Sequence, residues 1–452
     1  MAKADRDAVL RARKRVPPPG GALLEDTEKM KQKHHRMLCA FCALVILVST
    51  VFPTAAFAEQ PVDAAPAEQT LTRADAAEMQ QADAAVTALT ESEQYQEMDT
   101  DARKDAALAQ LDTLAAKGLV EKDSIYTDEE NGMVSFRYPC GVLGGILLTE
   151  SEDETLDEEN AETETASNAL PLRLPPDLGA EMQKSRAALL RRTENQAVEK
   201  FGTAVIYYAF DNTINSSRFP YYSYMQGFWS ALGLETKINI HVTVADLKKM
   251  GNYNVSVLSA HGSYYTYSYG KFLKRTRTEP IMLLTEESTF GKDLRYGFDL
   301  LAHRVIKVNG MYCVTSDFFR NAYKGGKLSN TIVYSETCEF LGVDGSEDNA
   351  MADALLSGGA QAVIGYVNNV YTVYSRSMLW DTINHLIMGQ NVGQALEHAK
   401  ATYGEDDLIW YHAQGGRRPH AAASYAVLYG NSQAALHVPE SNRSMFSADL
   451  AA

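Results

Sequence analysis

Cysteine is scarce in this sequence: five are present in 452 residues. Cys39 and Cys42 lie in an apolar segment that resembles a signal peptide and would be removed with it. Three thiols, at Cys140, Cys313 and Cys338, cannot form a disulfide scaffold for so long a chain. Cys140 could pair with Cys313 or stay reduced, and the odd count leaves at least one thiol unpaired. An unpaired thiol in an exported protein is a mild indication of catalysis.

Basic residues are also fewer than acidic ones. The chain has 42 Lys and Arg against 58 Asp and Glu, which gives a net charge of −16. This balance argues against a nucleic-acid partner. An acidic surface suits a secreted, solvated protein, and it weakly suits cationic peptide substrates.

Several motifs with known chemistry are missing. The sequence contains no HExxH, no G-x-S-x-G and, after the apolar segment, no CxxC. His385 and His398 lie on predicted helices without metal-ligand spacing to a second histidine, so no metal or cofactor is predicted. The acidic run ESEDETLDEENAETETAS lacks the spaced Asp-Gly pattern of a calcium loop, so calcium is possible but not indicated by sequence. The run is predicted to be disordered because its like charges repel one another.

A basic stretch from Met30, an apolar run and the small-x-small triplet ending at Ala58 predict a signal peptide over residues 30–58. The alternative is an uncleaved N-terminal anchor, which would be the chain's one contact with a membrane. Residues 1–29 form a basic extension, and Met30 is a candidate for the true start. We therefore expect a secreted or extracellular protein, with a bacterial cell envelope as a further possibility.

The remaining chain divides by composition. Residues 59–122 are rich in helix formers and predict an N-terminal helical region. Residues 123–150 predict a β-hairpin around Asn131-Gly132. Residues 151–197 contain the acidic linker and a connecting helix, and residues 198–452 form the last domain.

Strands and helices alternate in residues 198–452, which predicts an α/β fold with a mostly parallel sheet and helices on both faces. In such sheets, active groups cluster beyond the carboxyl ends of the strands. His261 follows the apolar strand VSVLSA, and Cys338 follows the strand in TIVYSETC. Neighbouring strands would therefore bring an imidazole near a thiol, and Gly262 could offer its N–H to an oxyanion. The alternative is two buried strands that end in ordinary residues.

The segments VLSAHGS and IVYSETCEF, and the pattern that follows them, resemble the caspase-like cysteine peptidases of clan CD. This group includes legumain, clostripain, gingipain and the CHAT-domain proteins, and the similarity covers about residues 200–404. The resemblance implies a three-layer α/β/α sandwich and a catalytic dyad of His261 and Cys338. It implies oxyanion donors at the backbone N–H groups of Gly262 and Cys338. Many relatives have the sequence C-x-G at the nucleophile, whereas the first glycine here is Gly342, so the loop after Cys338 differs.

The resemblance also suggests a specificity pocket. Glu336 stands two residues before the cysteine, where legumain- and clostripain-like members have an acidic residue. Asp211 follows the first strand, where other members of the clan contribute pocket residues, although it could equally cap a loop. Two carboxylates favour a basic side chain, and a legumain-like preference for Asn stays open. Arg191-Arg192 would then be a candidate for self-cleavage.

The sequence thus predicts a secreted cysteine endopeptidase that cleaves after basic residues. One alternative is a catalytically inactive caspase-like binding module at the cell surface that uses the tyrosine-rich segment SYYTYSYG. That segment could equally be a β-hairpin with packed aromatic side chains. A third possibility is a cell-envelope structural protein whose N-terminal helices carry the interaction.

Overall fold

The computed structural model describes residues 70–148, 182, 184, 198–210, 221–270, 273–408 and 423–446. The predicted signal peptide, the acidic run, Arg191-Arg192 and Asp211 lie outside these residues. Within them, no helix is both long enough and apolar enough to span a bilayer.

The first described elements are three helices and three strands. The helices are α1 (Arg73–Thr90), α2 (Glu93–Gln96) and α3 (Thr100–Ala116). The strands are β1 (Tyr126–Asp128), β2 (Met133–Arg137) and β3 (Leu143–Leu147). Helix α1 begins at a capping box, in which Thr72 and Asp75 each bond the other's backbone N–H. The chain turns at Asn131-Gly132 between the antiparallel strands β1 and β2, where the sequence predicted a hairpin.

A six-stranded sheet forms the centre of the following region. Its strands are β4 (Gly202–Ala209), β5 (Leu234–Asn239), β6 (Val255–Ala260), β11 (Ile332–Ser335), β14 (Ala362–Val367) and β15 (Tyr425–Gly430). The order across the sheet is β15-β14-β11-β6-β4-β5. Five strands are parallel, and β15 runs antiparallel to β14 at one edge. The predicted α/β class is confirmed.

Side chains alternate between the two faces of this sheet, and helices cover both. Ile206 and Tyr208 of β4 pack on the face covered by α4 (Tyr221–Ala231), α9 (Thr372–Ile387) and α10 (Val392–Tyr403). Val205 and Tyr207 pack on the opposite face with α5 (Val244–Leu247), α7 (Ser316–Ala322) and α8 (Ala350–Ser357). The period of two follows from the pleat, so a strand buried on both faces must be apolar throughout.

A second, seven-stranded sheet combines two distant parts of the chain. It adds β7 (Gly262–Tyr269), β8 (Arg275–Glu287), β9 (Val305–Val308) and β10 (Met311–Thr315), with α6 (Phe290–Leu301) between β8 and β9. Its order is β1-β2-β3-β9-β10-β8-β7, and β3 joins β9 in parallel. The hairpin segment 123–150 therefore shares a sheet with strands from the region 198–452. The remaining elements are a two-stranded pair, β12 (Gly342–Val343) and β13 (Ser346–Glu347), and helix α11 (Glu440–Phe446).

A buried ionic cluster connects the N-terminal helices to this second sheet. Lys307 of β9 is fully buried and pairs with Asp293 of α6 at 2.9 Å and with Asp83 of α1. Tyr138 donates to Asp83, and Tyr312 donates to Asp293 at 2.7 Å. Each charge thus has an opposite charge and hydrogen-bond partners, which a buried ion needs to be tolerated.

Candidate active site

His261 lies at the junction of the two sheets. It is the single residue between β6, which ends at Ala260 in the six-stranded sheet, and β7, which begins at Gly262 in the seven-stranded sheet. The imidazole is half-buried, and its ring packs edge-on against Phe210, with 4.5 Å between ring centroids and 86° between planes. Phe210 directly follows β4, the neighbour of β6, so the histidine is held at the carboxyl edge of the sheet.

Cys338 lies beyond the end of β11, the strand adjacent to β6. Strands β6 and β11 are paired in parallel, with Ile332 opposite Val255 and Ser335 opposite Leu258, an offset of 77 residues. The N–H of Glu336 continues the ladder with a 2.8 Å bond to the carbonyl oxygen of Leu258. Cys338 comes two residues later, in the turn beyond β11, and its backbone approaches the residue that follows His261.

The backbones that follow these two strand ends are in contact. A side chain on Gly262 would overlap the carbonyl oxygen of Cys338 and the methyl group of Thr337. A glycine is therefore required because the cysteine loop fills the space that a Cβ would occupy. The His261-Gly262 and Thr337-Cys338 segments are thus packed directly against each other and form one unit.

The hydrogen-bond pattern of β7 directs two amide groups towards this unit. The N–H of Leu283 in β8 donates to the carbonyl oxygen of His261 at 2.9 Å. Because the bonding side alternates along an antiparallel pair, the N–H groups of Gly262 and Tyr264 point away from β8. The N–H of Tyr264 donates to the carboxylate of Glu339, which directly follows the cysteine.

The loop after Cys338 is held in an unusual conformation. Glu339 has φ +54° and Asn368 has φ +69°, both in the left-handed region that non-glycine residues rarely adopt. The N–H of Glu339 donates to the carbonyl oxygen of Asn368 at 3.0 Å. The N–H of Asn368 in turn donates to the carbonyl oxygen of Gly342 at 3.0 Å. The Sγ atom of Cys338 lies 3.9 Å from the carbonyl oxygen of Val370. The segment after β14 therefore forms one wall beside the thiol.

Glu339 is a buried acid beside the thiol. Burial raises its pKa to about 7, with a smaller contribution from nearby Asp344, and the bond from the Tyr264 N–H opposes this rise. Its protonation state therefore changes near neutral pH. The position of Glu339 could not be predicted from sequence, because a glutamate after a cysteine has no distinctive pattern.

Glu336 belongs to a buried polar cluster on the other side of the loop. It is 5% exposed. Its two oxygens accept hydrogen bonds from the hydroxyl of Tyr222 at 2.9 Å and from Ser375 at 3.3 Å. The same tyrosine hydroxyl lies 2.9 Å from Ser259 Oγ and accepts a bond from Nε of buried Arg376 at 3.3 Å. The cluster thus brings an acidic and a basic group close together beneath the cysteine loop. Asp211, the other predicted pocket residue, lies outside the described residues.

The other two described cysteines differ from Cys338. Cys140 and Cys313 are both free thiols, so no disulfide joins them. Cys313 is fully buried, and burial raises its pKa far above the ordinary value for a thiol. Burial also raises the pKa of Cys140 to about 11. Cys140 and Cys338 are both partly buried, and Cys338 is the one that follows a strand end of the central sheet beside the backbone of Gly262.

The tyrosine-rich segment is strand β7, paired with β8 in an antiparallel hairpin. Tyr265 and Tyr267 pack with each other and are 0% and 5% exposed. Tyr265 donates to the carbonyl oxygen of Gly144 in β3 at 2.8 Å. Of the two alternatives for this segment, the structure has the packed hairpin.

No protein-family model matches this chain, and a search of the curated proteins also returns no match. The assignments of His261, Gly262, Cys338, Glu336 and Asp211 therefore stay predictions. They depend on the geometry above and on the resemblance of the sequence motifs.

Proposed function

We propose that this protein is a caspase-like cysteine endopeptidase with His261 and Cys338 as its catalytic dyad. The observation that carries the proposal is that these residues follow the ends of two adjacent parallel strands. The contact between Gly262 and the Cys338 backbone supports it, because it holds the two strand ends together. Cys338 is only partly buried, which is compatible with a nucleophile that must meet a peptide.

Peptide hydrolysis would proceed in two steps at this site. The Cys338 sulfur, having lost its proton to His261, bonds to the carbonyl carbon of the substrate. The C–N bond then breaks as His261 returns the proton to the leaving amine, and a thioester remains. Water attacks the thioester, which releases the acid and restores the thiol. The N–H groups of Gly262 and Cys338 would stabilise the oxyanion in both steps.

The arrangement of the sheet supports the finer, caspase-like part of the proposal. The resemblance implies a three-layer sandwich around a mostly parallel sheet. The six-stranded sheet has five parallel strands, with helices packed on both faces. The histidine and the cysteine follow two strands near the middle of its order, where walls from β14 and β4 can flank a substrate.

We further propose that the pocket accepts a basic side chain, with Glu336 as its buried acidic group and Asp211 as a second one. Charge-assisted hydrogen bonds between a guanidinium and a carboxylate would supply the preference. Arg376 shares Tyr222 with Glu336, and a pocket that offers both an acid and a base would suit an Asn side chain instead. A panel of otherwise identical substrates with Arg, Lys or Asn before the scissile bond separates these outcomes.

The decisive experiment compares purified wild-type protein with Cys338→Ala, His261→Ala and the control Cys140→Ala. We expect the wild type and Cys140→Ala to cleave the panel, and the two dyad variants to lose at least about a thousandfold in turnover. A binding module without catalysis would cleave no substrate in any variant. Equal cleavage by the wild type and Cys338→Ala would exclude this cysteine as the nucleophile.

We also propose that the protein is secreted after cleavage behind Ala58. Its low cysteine content and acidic composition are compatible with export. Determining the N-terminus of the protein recovered outside the cell tests this directly. A mature chain that begins at Glu59 supports the proposal, and a chain that retains residues 30–58 indicates an uncleaved anchor.

A further inference from the structure

Three potential metal ligands converge on helices α9 and α10, away from the cysteine loop. Asp381 and His385 lie one helical turn apart on α9, and His398 comes from α10. Each can offer one ligand atom such that all three atoms lie within 4.8 Å of one another. Spacing of i and i+4 places two side chains on the same face of a helix. The sequence shows this spacing for Asp381 and His385, but only the packing of the helices adds the third ligand.

The carboxylate of Asp381 lies near both histidines and is hydrogen-bonded to His398. Nδ1 of His398 lies 2.7 Å from one oxygen of Asp381, and Nε2 of His385 lies 3.7 Å from the other. The second of these distances is too long for a hydrogen bond. Ligands bound to one zinc ion at about 2.0–2.1 Å stand roughly 3.4 Å apart when the angles are tetrahedral. Side-chain rotations of modest size would bring these atoms to that spacing.

His385 is buried, with 4% of its surface exposed, and its Nε2 atom faces the carboxylate of Asp381. The rings of His385 and His398 also lie only 3.7 Å apart between centroids. Two charged imidazolium rings would repel at that distance, whereas two neutral rings keep lone pairs that can bind a metal.

We propose that Asp381, His385 and His398 bind one Zn²⁺ ion. Two imidazoles and a carboxylate form a ligand set typical of zinc, and three protein ligands leave a fourth position for water or an external ligand. The side chain of His398 is 43% exposed and that of Asp381 is 14% exposed, so an ion can enter from the solvent. The site would bind zinc more tightly than calcium, because imidazole nitrogen is a poor calcium ligand.

A zinc ion bound by these three residues would crosslink helix α9 to helix α10. Helix α9 also carries Ser375 and Arg376, which contact the polar cluster of Glu336. The ion would thus stabilise the helix behind the candidate active site without touching a substrate. This inference is independent of the proposed peptidase activity.

The test uses the full chain with Cys338→Ala, so that the half-exposed thiol cannot bind zinc and activity is not the readout. After removal of metals with a chelator, Zn²⁺ is titrated in competition with a chromogenic chelator. We expect His398→Ala and Asp381→Asn, each added to this parent, to weaken one zinc site by at least about 100-fold. His437→Ala, which alters another exposed histidine, is expected to bind zinc as the parent does.

Two further readouts separate a zinc site from an ordinary Asp–His contact. Zinc should raise the melting temperature of the parent and of the His437→Ala variant, but not that of the His398→Ala variant. X-ray absorption of the loaded parent should show nitrogen or oxygen at about 2.0–2.1 Å, with imidazole scattering. Equal zinc affinity in the parent and in both ligand variants would overturn the proposal. Sulfur at about 2.3 Å would do so as well, because it would place the ion on a cysteine.

Discussion

Gly262 lies so close to Cys338 that a methyl group on its Cα would overlap the carbonyl oxygen of that cysteine. The contact joins the first residue of β7 to the loop after β11. It fixes the histidine side of the site relative to the cysteine side through backbone alone. Any side chain at position 262 must therefore separate the two loops.

Gly262→Ala is expected to lower turnover of a cleavable peptide by about 100- to 1000-fold, the range seen when one oxyanion donor is lost. It should also lower the free energy of unfolding by about 1–3 kcal/mol, because the added methyl group overpacks the contact. Steady-state kinetics and urea unfolding measure the two effects.

Gly227→Ala is the matched control, because Gly227 lies within α4 and a Cβ there would meet no atom within 4 Å. It should leave turnover unchanged and raise stability by roughly 0.5–1 kcal/mol. Wild-type turnover in Gly262→Ala would show that the loops can separate without harm to the site.

The three described thiols should react with iodoacetamide in a fixed order at pH 8. We expect Cys338 to react first and Cys313 to react only after unfolding, because Cys313 has no exposed surface. With a pKa of about 11, Cys140 is about 0.1% thiolate at this pH and should react slowly. Mass spectrometry of digested samples taken over time gives each rate. His261→Ala should slow the labelling of Cys338 alone, and a rate for Cys338 no faster than that for Cys140 would contradict an activated nucleophile.

Lys307→Met should destabilise the protein by about 3–5 kcal/mol, because it leaves Asp83 and Asp293 as uncompensated buried charges. Lys200→Met is the control: it breaks an exposed 3.3 Å pair with Glu235 and should cost about 0–1 kcal/mol. Urea unfolding at pH 7 compares the two. Similar losses in both variants would mean that the buried cluster adds little.

Glu279 and Glu339 should each lower the stability of the protein as pH rises from about 4.5 to about 7. Burial raises the pKa of Glu279 and of Glu339 to about 7, from an ordinary value of 4.5. Between these values the folded protein holds protons that the unfolded chain has released, so each glutamate lowers stability by about 1.4 kcal/mol per pH unit. Glu279→Gln and Glu339→Gln should each make the fall of stability with pH less steep by about 1.4 kcal/mol per pH unit.

Glu287→Gln, in the same strand as Glu279 but exposed, serves as the control and should keep the wild-type slope. Urea unfolding at a series of pH values gives the slopes. The pH prediction fails if all three variants have the same slope.

The elements that carry the candidate site could be predicted from sequence. VSVLSA and TIVYSETC are apolar runs that each stop at a reactive residue, and the structure has strands that end at Ala260 and Ser335. The apolar run that is typical of a strand buried on both faces is a local feature. It can therefore be recognised in the sequence without knowledge of the fold. The alternation of strands and helices in the sequence likewise predicted the α/β fold class correctly.

The long-range pairings could not be predicted in this way. Nothing in LGGIL indicates that β3 pairs with β9, more than 150 residues later, because a sheet partner leaves no mark on local periodicity. The bond between Glu339 and the Tyr264 N–H, and the approach of His398 to Asp381, depend equally on packing. Whether Cys140 pairs with Cys313 could not be predicted either, because pairing depends on how the fold separates them.

The insertion of β3 between β2 and β9 has a consequence for proteolysis of this protein. A cut between Leu148 and residue 198 would separate the chain into two fragments, yet β3 would still be bonded to β9 and Asp83 to Lys307. The product would be a nicked heterodimer that runs as two bands under denaturing electrophoresis and as one species in gel filtration. The N-terminal fragment would thus stay on the molecule as a permanent subunit after the covalent link is lost.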